Sequence, residues 1–148
     1  MKSSMANFGY YNYGTTIKGR LHYPIKNKDG CEPFVDEHFV EEHLVDRRKH
    51  GYRPILMVDR GKCHFVIKAM NVQNFGGMMM VVVDNVESED PELLIMADDG
   101  RGSAVKIPSF LIGHNDGERL KEAIHEELEA EEANADGNKR TWSQKVIV

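Results

Sequence analysis

The chain has 148 residues, 41% hydrophobic and 29% charged, a balance that fits one globular domain with a core of its own. Its formal net charge of -5 argues against nucleic acid as a partner, because phosphate neutralisation needs a basic footprint. No run approaches the roughly 18–20 apolar residues that cross a bilayer, and Met1 to Met5 lacks the apolar stretch of a signal peptide. The expectation is a soluble chain whose link to a membrane, if any, lies in regions absent from it. A mature fragment would lack its signal and anchor in the same way.

In chain order, residues 1–14 are rich in Tyr, Asn and Gly without a sustained period, and they read as an irregular segment docked by Phe8, Tyr10, Tyr11 and Tyr13. The alternation Ile17, Gly19, Leu21, Tyr23 predicts a half-buried strand with Lys18, Arg20 and His22 outward, stopped at Pro24 and the Asn27 to Gly30 turn. Residues 34–52 are densely charged; their apolar spacing partly fits a short amphipathic helix, and the run Asp46-Arg47-Arg48-Lys49 reads as a solvated loop.

The middle is more regular. Pro54 to Val58 is a short apolar run suited to a buried strand, emptying into the turn residues Asp59-Arg60-Gly61. Phe65, Ala69, Val72 and Phe75 recur at helical spacing, with Lys68 and Gln73 placed off that face and Gly76-Gly77 as the left-handed stop. Met78 to Val83 predicts a second buried strand. Strand, helix and strand at this spacing make a βαβ unit with parallel strands.

Further on, Leu93 to Met96 and Ile107 to Ile112 are two more strand candidates, separated by the turn-rich stretch from Asp98 to Ser103. Asn115 with Glu118 resembles a capping box opening a helix through Leu120, Ile124 and Leu128. Beyond Leu128 the glutamates stand at the wrong end of the macrodipole, so fraying is expected, with residues 131–148 a linker and a final strand or a lead into another domain at Trp142 to Val148.

Enzyme constellations are not found: the chain has no G-x-S-x-G elbow, no phosphate-binding loop and no G-x-G-x-x-G after Val58. His38 and His43 are five apart, not the four that put two ligands on one helix face, so His38, His43 and His50 read as part of a solvated charged face and no metal or cofactor is expected. Asp98, Asp99 and Ser103 lack the alternating acids of a calcium loop and read as a plain turn. Cys31 and Cys63 are equally compatible with one disulfide in an oxidising lumen and with two buried free thiols in the cytosol.

The segment Asp59 to Phe65 stands where a buried strand hands over to a helix N-terminus. Free backbone amides there attract a carboxylate or carbonyl, Arg60 offers a bidentate fork, and Gly61 allows close approach. The plainer alternative is a turn in which Arg60 pairs with Asp59 or a surface acid.

At these residues the sequence resembles the protease-associated domain of vacuolar sorting receptors. The likeness runs from Asn7-Phe8-Gly9, Tyr23-Pro24, Cys31 and Phe34, through Ile55 to Phe65, Lys68, Asn71, Gln73, Gly76 and Val83-Asp84-Asn85, to Ile107-Pro108-Ser109 and Gly117 to Lys121. It implies an α/β fold built on a mixed sheet, part β-sandwich, flanked by two helices, as a single domain over about residues 7–130. It also implies a disulfide between Cys31 and Cys63, and a non-catalytic role in gripping an extended segment of soluble hydrolase precursors in the lumen of the secretory pathway or outside the cell.

Carried over by position, Arg60, Gly61, Cys63 and Phe65 become the ligand-contacting set, with Lys62 and His64 in the variable places. His64 next to the loop would make binding pH-dependent. The alternatives are an accessory domain of a secreted protease, or a module of an extracellular assembly in which Tyr10 to Tyr13 and Trp142 to Val148 serve self-association.

Overall fold

The computed structural model describes residues 1–87 and 90–136. The chain runs β1 (Ser3–Met5), β2 (Gly19–His22), α1 (Glu37–His50), β3 (Arg53–Asp59), α2 (Phe65–Phe75), β4 (Met79–Val83), β5 (Ser109–Ile112) and α3 (His114–Asp136). The strands form one sheet in the order β1-β5-β4-β3-β2, with β1 antiparallel to β5 and all other pairs parallel. The expected α/β class, mixed sheet and βαβ unit (β3-α2-β4) are all present. Helices cover both faces of this sheet; among the described residues a sandwich's second sheet is not formed, and three α-helices flank the sheet where two were expected.

Strands β3 and β4 are apolar on both faces because both faces are covered. Leu56, Val58, Met80 and Val82 point toward α2, where Val66, Ala69 and Val72 meet them and Phe39 of α1 closes the layer. Ile55, Met57, Met79, Val81 and Val83 point the other way, against Leu120 and Ile124 of α3. Successive methionines thus serve opposite cores, as a central strand requires. Each such buried side chain contributes roughly 1.5–3 kcal/mol of transfer free energy, so these two strands anchor everything that follows them.

Helix α2 starts and stops where its periodicity and glycines put it. Gly76 takes the left-handed cap with φ 102°, and a methyl group at Gly77 would lie 2.5 Å from Val72 Cγ1. Helix α3 approaches β4 even more closely: a methyl group at Gly117 would lie 2.1 Å from Val83 Cγ1.

Several expectations are corrected. The Arg47 to His50 run is the basic last turn of α1, not a loop; it faces the negative end of the dipole, while Asp36 caps the other end by accepting from the Phe39 amide at 3.2 Å. His22 is buried, not outward, because α1 brings Phe39 and His43 edge-on to its ring. Residues 93–96 are not a strand: Asp90 and Pro91 start a short 3-10 turn, and Leu93 stays exposed while Met96 is buried.

At the termini, Ser3–Met5 is a strand within a segment expected to be irregular. Of its aromatics Phe8 is buried and Tyr11 packs edge-on against Phe110, whereas Tyr10 and Tyr13 are exposed. Helix α3 begins at His114 and continues to Asp136 through the glutamates at which its end was expected to fray, and Arg20 bonds both oxygens of Glu131 at 2.9 Å. Residues 131–136 are therefore helix where a linker was expected, and Trp142 to Val148, expected as a final strand or a lead into another domain, lie outside the described residues.

Candidate functional site: the loop between β3 and α2

The segment Asp59 to Phe65 leaves the carboxyl end of β3 beside that of β4, the edge of a parallel sheet at which α/β folds commonly bind ligands. Its entry is fixed by two backbone bonds: the Asp59 amide donates to Lys28 O at 2.7 Å and the Arg60 amide to Val83 O at 2.9 Å. Its exit is fixed by α2, with Phe65 half-buried in the core.

Arg60 turns inward. Its Nη1 lies 2.9 Å from Asp84 Oδ1, and the Asp84 carboxylate is completely buried, while 30% of the Arg60 side chain stays exposed. The same Asp84 oxygen accepts from the Val86 amide at 3.3 Å, and Asp84 O meets His114 Nδ1 at 3.0 Å, so one residue joins this loop, the loop after β4 and the start of α3. One Arg60 partner is thus a buried acid at the neighbouring strand end.

Asp59 has partners of its own. Tyr23 Oη donates to it at 2.7 Å, and Lys121 Nζ sits 2.8 Å from its other oxygen while also bonding Glu118 at 2.7 Å and lying 4.8 Å above the Tyr23 ring. Burial and the bond to Asp59 push the Tyr23 hydroxyl up to about 12. Burial works against the Lys121 charge, but the Asp59 and Glu118 carboxylates outweigh it and raise its pKa above the ordinary lysine range.

The turn itself is tightly determined. Gly61 has φ 115° and Lys62 φ 67°, the latter in the left-handed region that residues other than glycine seldom occupy. Cys63 is bonded to Cys31 with Cα atoms 5.9 Å apart, which realises the pairing implied by the resemblance. Lys62 Nζ reaches Asp29 Oδ2 at 2.7 Å, and the Cys31 amide donates to the other oxygen of that carboxylate at 3.0 Å. These two bonds, Lys62 first, hold the Asp29 carboxyl below its usual range.

Beneath the turn lies Lys68, which is fully buried. Its ammonium donates to the carbonyls of Asp29 at 2.5 Å and Gly61 at 2.7 Å, with Cys31 Sγ at 3.5 Å. Burial pulls its pKa down, against the pull of Asp29 and Asp59. Asn71, one turn further along α2, donates to Gly30 O at 2.9 Å. Lys68 was read as lying off the apolar face of α2, yet positions 65, 68, 69 and 72 share the i, i+3, i+4, i+7 spacing of that face, and this was the available signal.

The structure therefore brings all six candidate residues into one turn, with unequal postures. Arg60 is ion-paired, Gly61 supplies the backbone angle, Cys63 is in the disulfide and Phe65 is packed on the core. Lys62 and His64, in the places treated as variable, are the most exposed; 79% of the Lys62 side chain faces solvent. His64 occupies the N-cap position of α2 with extended backbone and makes no capping bond from its side chain.

A single α/β domain with a mixed sheet and a disulfide-tied loop after an interior parallel strand defines the class, and a PA domain model matches residues 17–120: the chain belongs to the PA domain family. It is similar to vacuolar-sorting receptor 1 of Pisum sativum, 36% identical over 129 residues that cover 82% of this chain and 19% of that protein. Vacuolar-sorting receptor 3 of Arabidopsis thaliana is 33% identical over the same length, with the same coverage. The ER degradation-enhancing alpha-mannosidase-like protein 3 of Homo sapiens is 36% identical over 81 residues, 52% of this chain and 9% of that one.

The chain thus spans about a fifth of the length of the sorting receptors it matches. Among solved structures, BSAP, a zinc aminopeptidase from Bacillus subtilis, superposes with a TM-score of 0.56 at 19% identity, covering 80% of this chain and 24% of that one, a likeness of fold.

Proposed function

We propose that this PA domain is a recognition module of a sorting-receptor-like protein, binding an extended segment of a soluble cargo protein without catalysing a reaction. The observation that carries the reading is the Asp59 to Phe65 turn: a disulfide, two ion pairs and a buried lysine hold a left-handed lysine in place at the open edge of the sheet. A loop ordered in advance loses little entropy when a peptide docks, so its cost of binding is low. In this reading Arg60, Gly61, Cys63 and Phe65 shape the loop, and Lys62, His64 and backbone groups of the turn meet the ligand.

The relatives named as vacuolar-sorting receptors support cargo protein as the partner class and the lumen of the secretory or vacuolar pathway as the compartment. The disulfide supports an oxidising environment. Among the described residues no helix is long and apolar enough to cross a membrane.

The test is calorimetry of the oxidised domain against a panel of hydrolase pro-peptides, with Lys62→Ala and His64→Ala alongside. Micromolar binding, weakened by each of these exposed substitutions while the domain stays folded, supports a peptide receptor using this loop. A folded domain that binds none of the peptides turns the reading toward an accessory module of a larger lumenal protein.

A further inference from the structure

A fully buried lysine is rare, because an ammonium taken out of water is tolerated only where its donors are matched. Lys68 has three N–H donors and three acceptors: the carbonyls of Asp29 and Gly61, and Cys31 Sγ. The carbonyls belong to the two chain segments joined by Cys31–Cys63. One segment leads from β2 toward α1, the other is the turn after β3, and Lys68 reaches both from the second turn of α2. Lys62–Asp29 spans the same two segments on the outside.

We propose that Lys68 is a positioning residue for the turn, a second and non-covalent tie acting in parallel with the disulfide, so that the turn keeps its conformation when Cys31–Cys63 is reduced. These two inner ties are redundant: either restricts the turn, and loss of both leaves across the turn only the exposed Lys62–Asp29 pair, which solvent screens and which contributes little. Lys68 also explains how Gly61 and Lys62 hold positive φ angles in an exposed turn, since the Gly61 carbonyl is pinned from below while Cys63 is pinned from the side. Its value for ligand affinity rests on the recognition reading given above; its hold on the turn does not.

The experiment is amide hydrogen exchange of the whole chain in four states: native and Lys68→Met, each oxidised and reduced. The reporters are the amides of Cys63, which donates to Gly61 O, and Cys31, which donates to Asp29 Oδ1, with Leu56 and Val81 as core references. Exchange at the two reporters should rise less than about 3-fold on losing either tie and more than about 30-fold on losing both, while the references stay within about 2-fold.

Reduction alone freeing the native turn as fully as it frees Lys68→Met overturns the proposal. So does a rise shared equally by the core references, the result expected of a lysine that merely fills the core. If Lys68→Met does not fold, Lys68→Gln, which keeps an amide donor, replaces it; reduced native protein decides the first point without any substitution.

Pro-peptide affinity is measured in the same states. Weaker binding that tracks reporter exchange joins the two readings. Absence of binding in every state, with the exchange pattern as expected, removes the recognition reading and leaves Lys68 as the tie.

Discussion

Arg60 and Asp84 stand at the ends of adjacent parallel strands, and the guanidinium bonds the fully buried carboxylate at 2.9 Å. Their pairing makes the arginine part of the scaffold of the turn. Arg60→Ala would strand a buried negative charge, and breaking such a pair costs about 3–5 kcal/mol when both partners are buried. Because Arg60 is about a third exposed, solvent screening lowers the expected loss to roughly 2 kcal/mol. Urea unfolding of Arg60→Ala should show this loss, and pairing it with Asp84→Asn should recover part of it. Full stability in Arg60→Ala would mean that the pair contributes nothing to the scaffold.

The Cys31–Cys63 bridge closes a loop with a sequence separation of 32, for which the chain-entropy model gives roughly 3–4 kcal/mol. Cys31→Ser with Cys63→Ser should therefore lose about that much in denaturant unfolding while keeping its far-ultraviolet circular dichroism, since neither cysteine lies in a strand or helix. A loss well under 1 kcal/mol would mean that other contacts already restrict the unfolded chain or that the bridge strains the fold.

Much of this frame is written locally in the chain. Ile55 to Val58 and Met79 to Val83 are uninterrupted apolar runs, and Phe65 to Phe75 with Gly76 carries both a period and a stop, so β3-α2-β4 is legible without long-range information. Helix α1 is less so, because its surface is mostly charged and it is held by an aspartate cap, a basic last turn and Phe39. Leu93 to Met96 shows the opposite failure: the apolar run is real, but Pro91 and the Asp90 cap turn the chain away from any ladder.

The candidate turn was legible as a turn, and its contacts were not. Arg60 meets a residue 24 positions away and Tyr23 one 36 positions away, and such pairings are set by strand order, which a single sequence does not encode locally. Lys68 is the instructive case. Its position on the apolar face was readable, but a lysine there passes for a surface residue until the carbonyls it serves are seen.

Glycines differ in what they protect. At Gly117 the β-carbon of alanine would stand 2.1 Å from Val83 Cγ1, and the neighbour is a fully packed strand residue that has nowhere to move. At Gly51 nothing lies within 4 Å, but φ is 69°. Gly117→Ala should cost about 2–3 kcal/mol as overpacking between α3 and β4, and Gly51→Ala about 1 kcal/mol as backbone strain alone. Thermal unfolding of the two variants should rank them in that order; equal losses would show that α3 can lift from β4 at little cost.

Tyr23 links β2 to α3 through Asp59, and its hydroxyl proton is the one shared with that carboxylate at 2.7 Å. The folded state holds this hydroxyl at about 12, above the ordinary tyrosine value near 10. A group whose pKa is raised on folding contributes stability that is fully present below its unfolded value and is lost as the pH climbs through the folded one. The bond should therefore count fully below pH 10 and fade between about pH 10 and 12. Absorbance titration at 295 nm should show a tyrosine step near pH 12, and Tyr23→Phe should remove that step. In the same window the stability of native protein should fall faster with pH than that of Tyr23→Phe. If Tyr23→Phe leaves that step in place, the bond to Asp59 does not hold the proton, and α3 is tied to β2 by Arg20–Glu131 and by apolar packing without a contribution from the Tyr23 hydroxyl.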